Sequence, residues 1–304
     1  GFFNRKNFGI DKAFITYKPK ALPFLKLDAG KFTYPWYRTP LTFDSDVNPE
    51  GFAETLSFDL PSSFFKTITF VGFQLPINET SGGYDSFVLG GQVQTQFRLS
   101  SRARLALYGA GININRADPI AVSVANGSLK PSLPNSNTYR YSASGAVIGY
   151  ATKFAYLDTI LKLEVDTHPR FPTTIQFNFV NNTRGSGERS AYWADVILGR
   201  QKEVGDLQLG YSFVLIEKDA VIGAWNESDL RSSTNVRNHR ISLGYLFKSN
   251  FTGQFTAWIG RLNNPWDNVS LVPAGVRGKC AGGFSASCED PYLKRLQFDV
   301  IYKF

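Results

Sequence analysis

The last stretch of the chain alternates almost strictly between apolar and polar residues. Leu296, Phe298, Val300, Tyr302 and Phe304 fall on one face, Arg295, Gln297, Asp299 and Lys303 on the other, with Ile301 the single break. Side chains on a strand point to opposite faces in turn, so this pattern predicts a strand with two unlike surroundings. A soluble sandwich alternates as well. Here the run is about ten residues, enough to cross a bilayer at a tilt, and the face opposite the apolar one is charged. Together these favour a strand between lipid and water.

The same alternation recurs upstream. In 251–262, Phe255, Ala257 and Ile259 oppose Gln254, Thr256 and Trp258. In 239–248, Ile241, Leu243, Tyr245 and Phe247 oppose Arg240, Ser242, Gly244 and Lys248. Comparable segments lie at 205–216, 190–201, 173–181, 158–166, 103–114, 88–99, 52–60, 23–32 and 9–18, and 64–75 is a further strand whose two faces are harder to separate. The connectors alternate too. Short turns fall at Lys18–Pro23, Leu60–Phe64, Leu99–Ala103, Thr167–Pro172, Lys202–Gly205 and Lys248–Phe251. Long loops fall at Lys31–Gly51, Leu75–Phe87, Asn115–Leu157, Asn181–Arg189, Glu217–Asn238 and Leu262–Pro291. Short turns on one side and long loops on the other predict an antiparallel up-and-down transmembrane β-barrel of about 13 strands in residues 1–304. Segment 138–152 is strand-like, but as a wall strand it would break this alternation, so it is assigned to the interior of the long 115–157 loop. With Phe304 at the periplasmic end, Gly1–Phe8 falls on the extracellular side. An odd count cannot close with both ends periplasmic, so further strands are expected before Gly1.

Composition agrees with this picture. Aromatics are 15% of residues and charged residues 19%. No run approaches the roughly 18–20 apolar residues of a membrane helix. The net charge of +8 comes from scattered basic residues. That argues against a nucleic-acid partner and leaves two readings, contact with anionic lipopolysaccharide or an anion-favouring lumen. Cys280 and Cys288 have too few companion ligands for a metal site. They are expected to form a disulfide, which places the segment in an oxidising compartment. Methionine and a signal peptide are both absent, as in a processed or partial product.

Several segments resemble the bacterial family called putative porins. They are Gly1–Lys6, Lys31–Pro40 followed by Asp44–Gly51, Val180–Thr183, Gly205–Tyr211, Glu217–Val221 and Arg237–Tyr245, in that order along the chain. The resemblance implies a barrel of about 16 strands, hence about three before Gly1. It also implies a bacterial outer-membrane location. By analogy with porins it implies a homotrimer. The aromatic end Tyr302 and Phe304 resembles the signal read by the outer-membrane assembly machinery; the plainer reading is an aromatic girdle.

Face assignment predicts a pore lining of Lys26, Asp28, Gln92, Gln94, Arg98, Arg104, Lys162, Glu164, Asp166, Asp195, Arg240, Arg295 and Asp299, with Lys248 and Lys303 also turned inward. Cations outnumber anions, which predicts a weak anion preference. Equally, the charges could pair across strands and merely keep the lumen wet. Asp44, Asp46, Asn48 and Glu50 alternate oxygen ligands as a calcium loop does, without its central glycine. A Ca2+ site, an acidic constriction and a solvated loop all remain open, and no other cofactor is expected. His168 and His239 offer no nucleophile–base pair, since His239 and Ser242 lie on opposite faces, so no enzymatic activity is expected. The expected function is passive diffusion of ions and small polar solutes through a lumen narrowed by Lys31–Gly51 or Asn115–Leu157. The alternative is a structural barrel that anchors a surface assembly without significant transport.

Overall fold

The computed structural model describes residues 11–45, 47–78, 85–129, 133, 136–284 and 287–303. The element order is β1 (Ala13–Tyr17), β2 (Leu25–Lys31), β3 (Glu50–Asp59), β4 (Phe65–Asn78), β5 (Ser86–Arg98), β6 (Ala103–Asn115) and helix α1 (Asp118–Ala125). Then follow β7 (Tyr139–Tyr141), β8 (Val147–Tyr150), β9 (Phe154–Val165), β10 (Thr173–Asn182), β11 (Ser190–Gly199) and β12 (Leu207–Ile216). The chain continues through β13 (Val236–Lys248), β14 (Phe251–Leu262), helix α2 (Ala274–Arg277) and β15 (Leu293–Tyr302). Thirteen strands form one antiparallel sheet in the order β1–β6, then β9–β15. β7 and β8 make a separate two-stranded hairpin. The expected up-and-down strand order is therefore present, and 138–152 lies inside a loop as the connector pattern required. No helix among the described residues is long and apolar enough to cross a membrane.

Connections at one end of the sheet are short, down to the two residues Ser249 and Asn250 between β13 and β14. At the other end lie the long connections 32–49, 116–153, 217–235 and 263–292. The sheet is strongly curved. In a flat sheet the loops after β2 and after β12 would stand about 34 Å apart at the usual strand spacing. Instead the Asp44 backbone N–H donates to the Trp225 carbonyl at 2.6 Å. β1 and β15 are the two edges, and they are not paired with each other among the described residues.

Curvature separates the two faces by chemistry. The convex face carries exposed Phe87, Leu89, Leu107, Leu157, Leu161, Ile175, Phe177, Leu209, Ile241, Leu243 and Phe255. Near the short turns it gathers aromatic rings: Phe24 stacks on Phe58 at 5.2 Å, Phe65 on Phe97 at 4.9 Å, and Tyr245 meets Phe247 at 4.8 Å. An apolar band bounded by aromatics is the outer wall of a transmembrane barrel. The concave face is polar towards the short turns. Towards the long loops it becomes apolar, with Val71, Phe73, Ile112, Ile114, Val180, Val214 and Ile216 buried beneath loop residues.

One face assignment is corrected. Lys248, expected inward, sits in register with Phe251, which belongs to the convex set. A bulge between Leu246 and Lys248 adds a residue to β13 and turns Lys248 out of the inward series. The Cys280–Cys288 disulfide is present and packs with Leu262 and Val272 in a small satellite core within the 263–292 loop.

Candidate functional site

The loop between β2 and β3 enters the concave side. Its base is formed by Gly30 and Gly51, which are cross-strand partners with φ of +114° and +149°. A Cβ on Gly51 would collide with the Gln74 carbonyl, so the inward bend there requires glycine. The loop is rich in aromatic side chains, and they bury it. Trp36 stacks on Phe73 of β4 at 3.9 Å, Tyr37 stacks on Tyr108 of β6 at 4.2 Å, and Phe43 stacks on Trp225 at 5.8 Å. Arg38 lies over the Tyr34 ring at 3.9 Å.

Polar contacts fix the loop across the wall. The Tyr37 N–H donates to Gln92 Oε1 at 2.8 Å and the Gln92 amide donates back to the Tyr37 carbonyl at 2.7 Å. On the far side the Tyr37 hydroxyl donates to Gln176, and the Thr39 hydroxyl donates to Asn178 at 2.5 Å, both on β10. Behind them the Asn178 amide donates to Asp158 at 2.6 Å and the Gln176 amide to Asp195 at 3.2 Å. The Trp193 indole N–H donates to Asp195 at 2.8 Å. Loop 32–49 is thus strapped from β5 to β10, three strands apart in the sheet order. Burial together with the Asp195 carboxylate holds the Tyr37 hydroxyl up at about 12, so it stays a donor at any physiological pH.

Two further loops complete the layer. In 217–235, Ala220, Val221 and Ile222 are buried against the inner wall. In 116–153, Asn137 donates to the Lys218 and Val221 carbonyls at 2.9 and 2.8 Å and accepts from the Gly223 N–H. The Ser136 hydroxyl shares a buried cluster with Ser232 and Thr234. Buried hydroxyls and amides of this kind hold position because each lost bond leaves a polar group stranded.

Where loops 32–49 and 217–235 meet, Asp44 accepts from the Ser228 N–H at 3.0 Å and the Glu227 N–H donates to the Pro40 carbonyl at 2.9 Å. Burial, reinforced by the Asp44 and Asp229 carboxylates, pushes Glu227 from its ordinary 4.5 up to about 7. The folded layer therefore holds this proton longer than a free chain does. Its stabilisation is complete below about pH 4.5 and declines as pH rises toward 7. Acrylamide quenching of tryptophan fluorescence is expected to increase over that interval as Trp225 loosens from Phe43. In Glu227→Gln the increase should vanish.

The inward charges lie mostly in ion pairs. Lys26 is 2.7 Å from Asp28, which also accepts from the Thr16 hydroxyl at 2.6 Å. Arg104 reaches Glu164 at 3.4 Å and Asp166 at 3.9 Å, and Lys162 reaches Glu164 at 2.7 Å. Arg240 faces Asp195 at 3.7 Å between the rings of Trp193 and Trp258. Arg295 pairs with Asp229 at 2.8 Å, and Asp299 accepts from Gln297. Gln94 donates to Gln92 at 2.9 Å. On the short-turn side of the Tyr37–Tyr108 stack, a cavity of about 520 Å³ is lined by Lys66, Arg98, Arg104, Lys162, Glu164 and Gln96. Its rim holds four cations and one carboxylate.

Other sequence-selected residues scatter. Asp44 engages the 217–235 loop, Asn48 donates to Asp11 at 2.6 Å, and Glu50 stands opposite Lys31 in the strand register at the start of β3. The described members thus do not converge on one point, and Asp46 lies outside the described residues. No group of acidic, histidine or cysteine side chains suited to a metal occurs among those described. His239 contacts Tyr211 Oη at 2.8 Å on the convex side, whereas Ser242 points inward. Tyr302 ends β15. Phe304 and Gly1–Phe8 lie outside the described residues. Tyr37, Asp158, Asn178 and Trp193 were not singled out from sequence, nor was Lys66. The apolar run Ala220–Ile222 inside a long loop was the available signal that 217–235 is packed inside.

No curated protein matches the chain. Residues 1–115, which take in loop 32–49 and run to the end of β6, match the family model described as Putative porin, so this part of the chain is similar to that family.

Proposed function

We propose that this chain forms a passive diffusion channel of a bacterial outer membrane for ions and small polar solutes. The observation that carries the proposal is loop 32–49, strapped by Gln92, Gln176 and Asn178 across a polar concave wall whose convex side is apolar. An inserted loop narrows a lumen to a size limit, and a wet, charged wall below it carries solutes without a binding cycle. The pairs Lys26–Asp28, Arg104–Glu164 and Arg240–Asp195 keep that wall hydrated. A lipopolysaccharide-bearing bilayer, a homotrimeric state and recognition of the Tyr302–Phe304 end by the assembly machinery belong to the same reading.

A second reading has its own support. The loop layer buries Leu41, Ala220, Val221 and Thr234 completely, as a plug would, and a plugged barrel would serve as an anchor for a surface assembly. Liposome swelling separates the two. The channel reading expects vesicles containing the protein to swell in small sugars, with rates that fall steeply as solute size increases. Vesicles that behave like protein-free controls would leave only the anchor.

A further inference from the structure

On β13–β15 the convex face changes character towards the long loops. Its outward positions run Phe247, Tyr245, Leu243, Ile241, His239 and Arg237 along β13, and Phe255, Ala257, Ile259 and Arg261 along β14. Arg237 and Arg261 are direct cross-strand partners, and Lys294 sits one strand further on, opposite Ile259. Three cations therefore share one patch just above an apolar band.

Their surroundings do not neutralise them. Among the described residues, none of the three takes part in a salt bridge. Arg237 reaches Asn263 Oδ1 at 3.4 Å, and its Nε is buried without a partner. Arg261 lies over the Tyr292 ring at 5.0 Å. Like charges directly opposite on a sheet destabilise it, and a buried guanidinium N–H without an acceptor costs more. The outward pair Lys31 and Glu50 at the long-loop end of β2 and β3 shows the alternative, since there the partners have opposite charge.

An anion bridging the two guanidinium groups removes both penalties at once. Facing strands hold such side chains about 5 Å apart, within the span of one tetrahedral phosphate, and guanidinium binds phosphate oxygens in pairs. The height of the patch selects the source. His239 and Tyr211 lie just below it, and then the wall is apolar through Ile241, Leu243 and Leu296. The cations thus stand where the hydrocarbon layer gives way to headgroups. We propose that Arg237, Arg261 and Lys294 form a binding site for the phosphate of a phosphorylated outer-leaflet lipid headgroup. The inference rests on the reading of the convex face as lipid-facing.

The test uses the full chain in phosphatidylcholine vesicles, with and without a phosphorylated lipid A, with its dephosphorylated counterpart, and with inorganic phosphate alone. The readout is the unfolding midpoint against added lipid. Phosphorylated lipid is expected to raise the midpoint and the dephosphorylated lipid much less. The double variant Arg237→Gln/Arg261→Gln should lose at least about tenfold in apparent affinity, as expected for charge-assisted bonds. Lys20→Gln, in a short turn at the opposite end, should behave like the parent. An unchanged response of the double variant would overturn the site, and an equal response to inorganic phosphate would overturn the lipid as its ligand. Conductance is read on the same samples. A silent barrel that still responds to the lipid contradicts the channel alone, and a conducting barrel that does not respond contradicts this site alone.

Discussion

Trp36→Ala is expected to raise single-channel conductance and to weaken the size limit for solutes. Trp36 is 3% exposed, stacks on Phe73 at 3.9 Å and meets Tyr34 edge-on at 4.7 Å. Truncating a buried tryptophan to alanine costs about 3–5 kcal/mol. The polar strap Tyr37–Gln92 and Thr39–Asn178 contributes about 1 kcal/mol per hydrogen bond. Losing the stack therefore removes a large share of what holds loop 32–49 across the lumen. The wall strands should be spared, because their ladder does not depend on Trp36. Conductance and sugar-permeation cut-off should rise together while the cold-to-heat shift of the folded barrel on a gel is retained. An unchanged conductance would show that the loop does not narrow the path.

Reversing Lys66 and Arg98, the two cavity cations that form no ion pair among the described residues, should reverse ion selectivity. Lys66, Arg98, Arg104 and Lys162 against Glu164 give the cavity rim a formal charge of +3, that is four minus one. Lys66→Glu with Arg98→Glu changes it to two cations against three anions, or −1. Arg104 and Lys162 are the wrong residues to change, since they hold Glu164 and reversing them would disrupt the wall itself. The reversal potential in a salt gradient reads this directly. The parent should favour chloride over potassium and the double variant potassium, with a shift in permeability ratio of at least about twofold that shrinks at high salt. A parent that favours cations would refute the role of this cavity in selectivity.

Much of the wall was legible in the sequence because a strand between lipid and water writes its face into every second residue. The alternation of Leu296, Phe298 and Val300 with Arg295, Gln297 and Asp299 placed β15. The alternating lengths of connectors kept 138–152 out of the wall, where the structure shows the β7–β8 hairpin. Alternation reports a face, however, and not a partner. Nothing in the spacing of Tyr37 and Gln176 announces that they meet, because curvature of the whole sheet brings them together. Loop 217–235 carried a weak signal in Ala220–Ile222, which is apolar without period. Lys248 went wrong for a local reason: one extra residue in β13 shifts the face of those after it, and the sequence around Leu246 looks regular. Asp44, Asn48 and Glu50 alternate as oxygen-bearing residues in the sequence. In the structure Asp44 accepts from the Ser228 N–H, Asn48 donates to Asp11, and Glu50 stands opposite Lys31 in the strand register.

Planar-bilayer recording on the purified full chain tests the central claim most directly. The proposed channel predicts stepwise current increments that scale with salt concentration and enlarge in Trp36→Ala. A folded, inserted barrel that passes no current in either form would contradict it.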